Sequence, residues 1–295
     1  MDRTLYSGER PLLQIDPHLS MIWPFKPQKR KQIARIEITG AIATETRKRV
    51  LKALKTVEEE KYKAVLLRID SPGGTVGDSQ EIYHALQRLR EKEVKVMASY
   101  GNISASGGVY IGVGADHIVA NAGTITGSIG VIIRGNNLER LLDKVGVSFQ
   151  TIKSGPYKDI LAFDRESTPE EVSILQSLID SSYEQFVQTV ATGRNLDVET
   201  VKGFADGRIF TGQQALELGM VDRLGTEEDA RRWLAELAGL DPEKAKSNTI
   251  EEKKPLLVRL LSGQSSRPKS RLAGALDWVE FELSTRGQPL WLYRP

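Results

Sequence analysis

Apolar and polar positions along this chain follow two alternating periods. From Ile33 to Ile38, Ala34, Ile36 and Ile38 face one way and Ile33, Arg35 and Glu37 the other, which is the period of a strand. Between Thr46 and Glu60, Val50, Leu51, Leu54 and Val57 recur at helical spacing. Ala64 to Ile69 is apolar except for Arg68 and reads as a strand; a helix from about Gly77 to Lys92 and a strand from Val94 to Ser99 follow. The order then repeats: helix Ser106–Val113, strand His117–Ala120, helix Asn137–Val145, strand Ser148–Lys153. Thr168-Pro169-Glu170-Glu171 is a helix start, with Thr as N-cap and Pro at the first position, and that helix is expected to reach about Thr192. Asp197 opens a short helix. A turn and strand over Ala205–Gly212 precede helix Gln213–Leu218, and a last helix runs from about Thr226 to Ala238. Strands that alternate with helices predict an α/β fold of βαβ units around a largely parallel sheet.

Three segments are expected: a loose arm over residues 1–30, a folded domain over 31–240, and a basic linker with a tail over 241–295. The arm is broken by Pro11, Pro17, Pro24 and Pro27 and has no apolar run of signal-peptide length. Met21 is an alternative start. From Lys253 to Arg271 there are six basic residues and no acidic one, which reads as a mobile linker. A short amphipathic segment over 272–283 and an apolar end around Leu290-Trp291-Leu292 follow. No stretch is long and apolar enough to span a bilayer, so a cytoplasmic protein is expected, with the basic linker a candidate for peripheral contact with anionic lipid.

Composition narrows the chemistry. A net charge of +2 over 295 residues gives no electrostatic footprint for nucleic acid. The absence of cysteine excludes disulfides, thiolate metal sites and a cysteine nucleophile. No phosphate-binding loop and no clustered metal-ligand motif occur, so no cofactor is expected. The stretch Ser104-Ala105-Ser106-Gly107-Gly108 lies between a strand and a small-residue helix, a place where backbone N–H groups can face a serine nucleophile. Pro72-Gly73-Gly74 is a second glycine turn whose N–H groups could converge with that of Gly107 on one carbonyl oxygen.

A serine nucleophile needs a base. The three histidines, His18, His84 and His117, have no orienting carboxylate nearby in sequence, although a Ser-His-Asp arrangement in space stays open. Lysine is the alternative when it acts as the free amine. Lys158, in a Gly-Pro loop ahead of Ile160-Leu161-Ala162-Phe163, fits by context; Lys153 competes, and Asp159 is a potential partner that would spoil Lys158 as a base.

Together, Asp70-Ser71-Pro72-Gly73-Gly74, Ser104 to Tyr110, Thr126-Gly127-Ser128-Ile129-Gly130-Val131, Lys153 to Asp159, and Asp206-Gly207-Arg208 through Thr211-Gly212 resemble the serine–lysine signal peptide peptidase family, SppA. Five motifs in family order cover about residues 33–240. The resemblance implies a Clp/crotonase-like fold and a serine endopeptidase that degrades signal peptide remnants and other extended apolar peptides. It implies Ser106 as nucleophile and Lys158 as general base, 52 positions later. It also implies Ser128 as the hydroxyl that orients the lysine, and Gly74 and Gly107 as oxyanion donors. A peptide substrate would run beside Gly74 and near Ile129 and Val131. A homo-oligomeric ring in which serine and lysine come from neighbouring subunits is implied as well. Val109 stands where an aromatic is common, and the N-terminal membrane anchor that many relatives carry is not expected in this chain. A crotonase-type acyl-CoA enzyme and a non-catalytic scaffold of the same fold are the alternatives.

Overall fold

Strand β1 (Ile33–Thr39) opens the order β1, α1 (Thr44–Glu59), β2 (Ala64–Ser71), β3 (Gly73–Thr75), α2 (Val76–Glu91), β4 (Lys95–Ala105), α3 (Gly107–Gly112) and β5 (His117–Ala120). It continues with β6 (Ile125–Gly127), α4 (Glu139–Lys144), α5 (Pro169–Arg194), α6 (Val198–Lys202), β7 (Ile209–Thr211) and α7 (Gly212–Glu217). The last elements are β8 (Arg223–Leu224), α8 (Glu227–Leu237), β9 (Ser247–Thr249) and β10 (Leu290–Leu292). The computed structural model describes residues 32–250, 281, 285 and 287–293. The arm expected over 1–30 with His18, the linker over 253–271 and nearly all of the segment over 272–283 lie outside the described residues.

The main sheet runs β7-β6-β4-β2-β1-β9, with β5 and β8 branching from β4. Its ladders are parallel except for β6–β7. The helix α1 buries Val50, Leu54 and Val57, the stripe read from the sequence, and each such side chain contributes about 1.5–3 kcal/mol on burial. α2 adds Ile82, Leu86 and Leu89. Against them lie Val65, Leu67 and Ile69 of β2 and Val96, Ala98 and Tyr100 of β4. β9 pairs with β1 at Ile33–Arg35, so the sheet continues past the expected boundary at residue 240.

One expected element is absent. Residues 148–153 form no strand; they lie exposed in an irregular loop. The apolar Phe149 and Ile152 stand three apart rather than two, and among the described residues no neighbouring strand bonds this segment, which leaves its backbone groups to water. β4 is longer than the pattern suggested: it runs unbroken to Ala105, so the serine stands at the very end of a central strand.

Candidate active site

Four of the five motifs meet where β4 ends. Asp70 shapes the entry. Its carboxylate accepts from the Ile103 N–H at 3.1 Å and from Asn102 Nδ2 at 3.0 Å, across the bulge that shifts the β2–β4 register between Ile69 and Ser71. Any side chain at Gly101 would meet Asp70 at 2.7 Å. Ser71 then steadies the turn, its hydroxyl accepting from the Gly73 N–H at 3.1 Å. The Thr126-Gly127-Ser128 stretch is held alongside by the pairing Ser104↔Thr126 and Ala105↔Gly127, and the Ser106 N–H donates to Gly127 O at 2.8 Å. The Asp206-Gly207-Arg208 turn closes over it: Ser128 N–H donates to Arg208 O at 2.7 Å, and Gly207 N–H to Ile129 O at 3.1 Å.

Ser106 sits at φ +53°, ψ −113°, left-handed backbone that side chains other than glycine rarely adopt. The resulting strand-to-helix turn resembles the strained elbow that presents a serine nucleophile in some hydrolase folds. Its hydroxyl is buried and has no hydrogen-bond partner. Strain of this kind costs about 1–3 kcal/mol, and an unpaired buried hydroxyl adds to it. Ser106→Gly is therefore expected to raise the unfolding free energy by about 1 kcal/mol, after the extra chain entropy of glycine, while removing the hydroxyl. A thermal melt checks this; a lower melting temperature would show that the turn is unstrained.

Beside Ser106 two backbone nitrogens, those of Gly74 and Gly107, lie near one carbonyl oxygen. β10 runs antiparallel to β3, with Trp291 opposite Gly74. The bonds flanking that pair, Val76 N–H to Pro289 O at 3.4 Å and Tyr293 N–H to Pro72 O at 2.7 Å, make residues 74 and 291 a hydrogen-bonded pair by alternation. The Gly74 N–H thus points at Trp291 O. A Cβ on Gly73 would lie 2.0 Å from Trp291 O and 2.7 Å from Gly107 N, so both atoms border the space left by the missing side chain. Gly73 was not singled out as a site residue by sequence reasoning; the first glycine of Pro-Gly-Gly, at φ +104°, was the signal.

Ser128 is buried next to this turn, at φ +52°. Ile129 is a core residue, and the backbone that bonds the tail on this side belongs to Ile132 rather than to Ile129 or Val131. Val109 is packed in the core.

Lys158 lies apart, exposed in the loop between α4 and α5. Lys153 and Asp159 are both engaged: Lys153 Nζ reaches Asp159 Oδ1 at 2.5 Å and Pro156 O at 2.9 Å. Arg165 bridges Asp159 at 2.9 Å and Glu171 at 2.5 Å. Hydrogen bonds from Arg165 and then Lys153 hold the Asp159 carboxyl well below its usual range; those from Arg165 and the Thr168 N–H bring Glu171 down to about 2. The capping box of α5 is thereby tied to the loop. Asp159 is consequently taken, and the Lys158 ammonium has no carboxylate partner among the described residues.

The remaining histidines are placed elsewhere. His117 Nδ1 is 3.8 Å from Asp222 Oδ1 and its ring packs on Trp233 at 4.5 Å. His84 packs edge-on against Tyr83. Neither bonds Ser106. Among the described residues no group of three or more His, Asp or Glu side chains could hold a metal ion, and no helix is long and apolar enough to cross a membrane.

The fold is Clp/crotonase-like, and the chain belongs to peptidase family S49. The model of Peptidase family S49 matches residues 88–241, and that of Clp protease residues 28–122. A Synechocystis sp. protein named "Putative protease slr0021" is 73% identical over 93% of this chain and 100% of its own. An Enterococcus faecium protein named "Putative signal peptide peptidase SppA" is 40% identical over 68% of this chain and 62% of its own. "Serine protease SPPA, chloroplastic" of Arabidopsis thaliana is 34% identical over 75% of this chain but only 31% of its own.

Proposed function

We propose that this peptidase is a serine endopeptidase whose nucleophile is Ser106 and whose general base is Lys158 of a neighbouring subunit. The observation that carries the reading is a peptide carbonyl, that of Trp291, paired with Gly74 and close to the backbone nitrogen of Gly107, beside an unpaired serine hydroxyl. In the reaction the free Lys158 amine takes the Ser106 proton, and Oγ attacks the scissile carbonyl. The two N–H groups hold the oxyanion. Lys158 returns the proton to the leaving amine, and water, activated by the same amine, releases the acyl group. The Ser128 hydroxyl orients the amine.

Two features support completion by a second protomer. Lys158 is exposed while Ser106 is buried. The surrounding surface carries large exposed apolar side chains, Leu141, Val145, Phe149, Ile152 and Val172, with Ile152 at 95% exposure. Such a patch marks an interaction face, which we assign to a homo-oligomeric ring. Substrates are extended apolar peptides, signal peptide remnants among them, that add a strand beside β3.

Only an uncharged amine is a base, so cleavage is expected to rise with pH. A pH–rate profile checks this, together with labelling of Ser106 by a fluorophosphonate. A profile flat into alkaline pH would sink the lysine base, and absence of labelling would sink the serine nucleophile and favour a scaffold.

A further inference from the structure

Lys158 is followed in sequence by a carboxylate that could disable it. An ammonium paired with a carboxylate gives up its proton less readily, and Asp159 is the next residue. Both Asp159 oxygens are occupied from elsewhere. Oδ1 accepts from Lys153 Nζ at 2.5 Å and from Arg165 Nη2 at 2.9 Å, and Oδ2 accepts from Arg165 Nε at 3.2 Å. Arg165 Nη2 also reaches the Asp159 carbonyl oxygen at 3.2 Å. Arg165 is itself fixed. Its Nη1 donates to Glu171 Oε2 at 2.8 Å and to Glu166 O at 2.9 Å, and its Nη2 to Glu171 Oε1 at 2.5 Å. A guanidinium offers five N–H donors in a rigid fork, and all three of its nitrogens are engaged here. Glu171 is buried in the first turn of α5, where its Oε2 also accepts the Thr168 N–H at 2.8 Å. The clasp on Asp159 is therefore anchored in a helix end, unlike an isolated surface ion pair.

We propose that Arg165 is a positioning residue for the base: together with Lys153 it keeps Asp159 occupied, so that the neighbouring Lys158 stays unpaired and available to Ser106 of the adjoining protomer. The inference rests on the serine–lysine reading above. It gives Lys153 the part of a counter-ion rather than of a rival base. No other charge nearby does this work. On α4 and the segment before it, Arg134, Glu139, Arg140, Asp143 and Lys144 form no ion pair with Lys158 or Asp159 among the described residues. Neither do Tyr157, Asp164 and Glu166 of the loop or Glu170 of α5. Across the proposed site, the carboxylate on the turn over Ser128 is occupied in the same manner, since Asp206 is paired with Arg208.

The test follows cleavage of an internally quenched apolar peptide by the full chain across neutral and alkaline pH. Arg165→Gln frees Asp159 beside the base. The midpoint of the rise in rate is expected to move up by at least about one pH unit, an about tenfold loss at a fixed pH on the rising limb, with the plateau retained. Adding Asp159→Asn to Arg165→Gln is expected to bring the midpoint back. A loop merely loosened by lost contacts would lower the plateau without moving the midpoint, and the second substitution, which removes a further contact, would not repair it. Lys153→Met is expected to move the midpoint the same way by less, at an unchanged melting temperature, because Lys153 is exposed. A wild-type midpoint in Arg165→Gln, or a shift that persists in the double variant, would overturn the proposal. If Arg165→Gln does not fold, an unmoved midpoint in Lys153→Met overturns it, and so does loss of all cleavage in Lys153→Met, which would make that lysine the base. Full activity of Lys158→Ala removes the lysine reading and the clasp with it; an inactive Lys158→Ala beside an unshifted Arg165→Gln counts against the clasp alone.

Discussion

Ser106→Ala and Lys158→Ala are each expected to lower peptide cleavage by at least about 10⁴-fold if they are the nucleophile and base proposed, since removing either leaves only binding and oxyanion stabilisation. Both folds are expected to survive. Alanine at 106 keeps the turn, and Lys158 is an exposed side chain without a partner among the described residues. The informative experiment is the mixture. If each site draws its serine and its lysine from different subunits, equal amounts of the two inactive variants, unfolded together and reassembled, form sites in which an intact serine meets an intact lysine. Random assembly around a heterologous ring makes about a quarter of the sites complete. A mixture as dead as its components would place both groups in one protomer, and a single variant with full activity would dismiss that residue.

Gly73→Ala is expected to lower kcat/KM by at least about 10³-fold, at the upper end of what losing an oxyanion donor costs. The methyl would lie 2.0 Å from the seat of the Trp291 carbonyl oxygen and 2.7 Å from Gly107 N. No flexible side chain is there to give way. Donors and carbonyl would be pushed apart, so binding and chemistry fail together. The φ of +104° adds a smaller stability cost, about 1–3 kcal/mol. Gly77→Ala is a control on the same segment, since a Cβ there meets nothing within 4 Å. Steady-state kinetics beside a thermal melt separates the effects. A folded Gly73→Ala protein with near-normal turnover would mean that substrate carbonyls sit elsewhere.

Much of this architecture was legible in the chain because long periodic segments declare themselves. Val50, Leu54 and Val57 on α1, and the Thr168–Glu171 capping box on α5, were readable one residue at a time. The glycine motifs were readable as places of close approach. What escaped was structure decided by distant partners. β8 and β9 have two and three residues, too few for a period to register. Leu290-Trp291-Leu292 is wholly apolar and shows no alternation, although all three side chains are buried, on opposite faces. Residues 148–153, expected as a strand, find no ladder among the described residues. The left-handed turn at Ser106 was hidden because serine, unlike glycine, does not advertise it. Lys158 was favoured by context and by the resemblance, with Lys153 its competitor; the Asp159–Arg165–Glu171 chain of ion pairs leaves Lys153 engaged and Lys158 free of carboxylates among the described residues.

Ser106 ends β4, which is hydrogen-bonded in parallel to β2, β5 and β6, and its own N–H is anchored to Gly127. The elbow has no hinge of its own. On warming, the proposed nucleophile is expected to go dark together with the whole sheet, whereas, if the proposed ring holds, heat that merely loosens subunits from one another would idle the peptidase reversibly and let it recover on cooling.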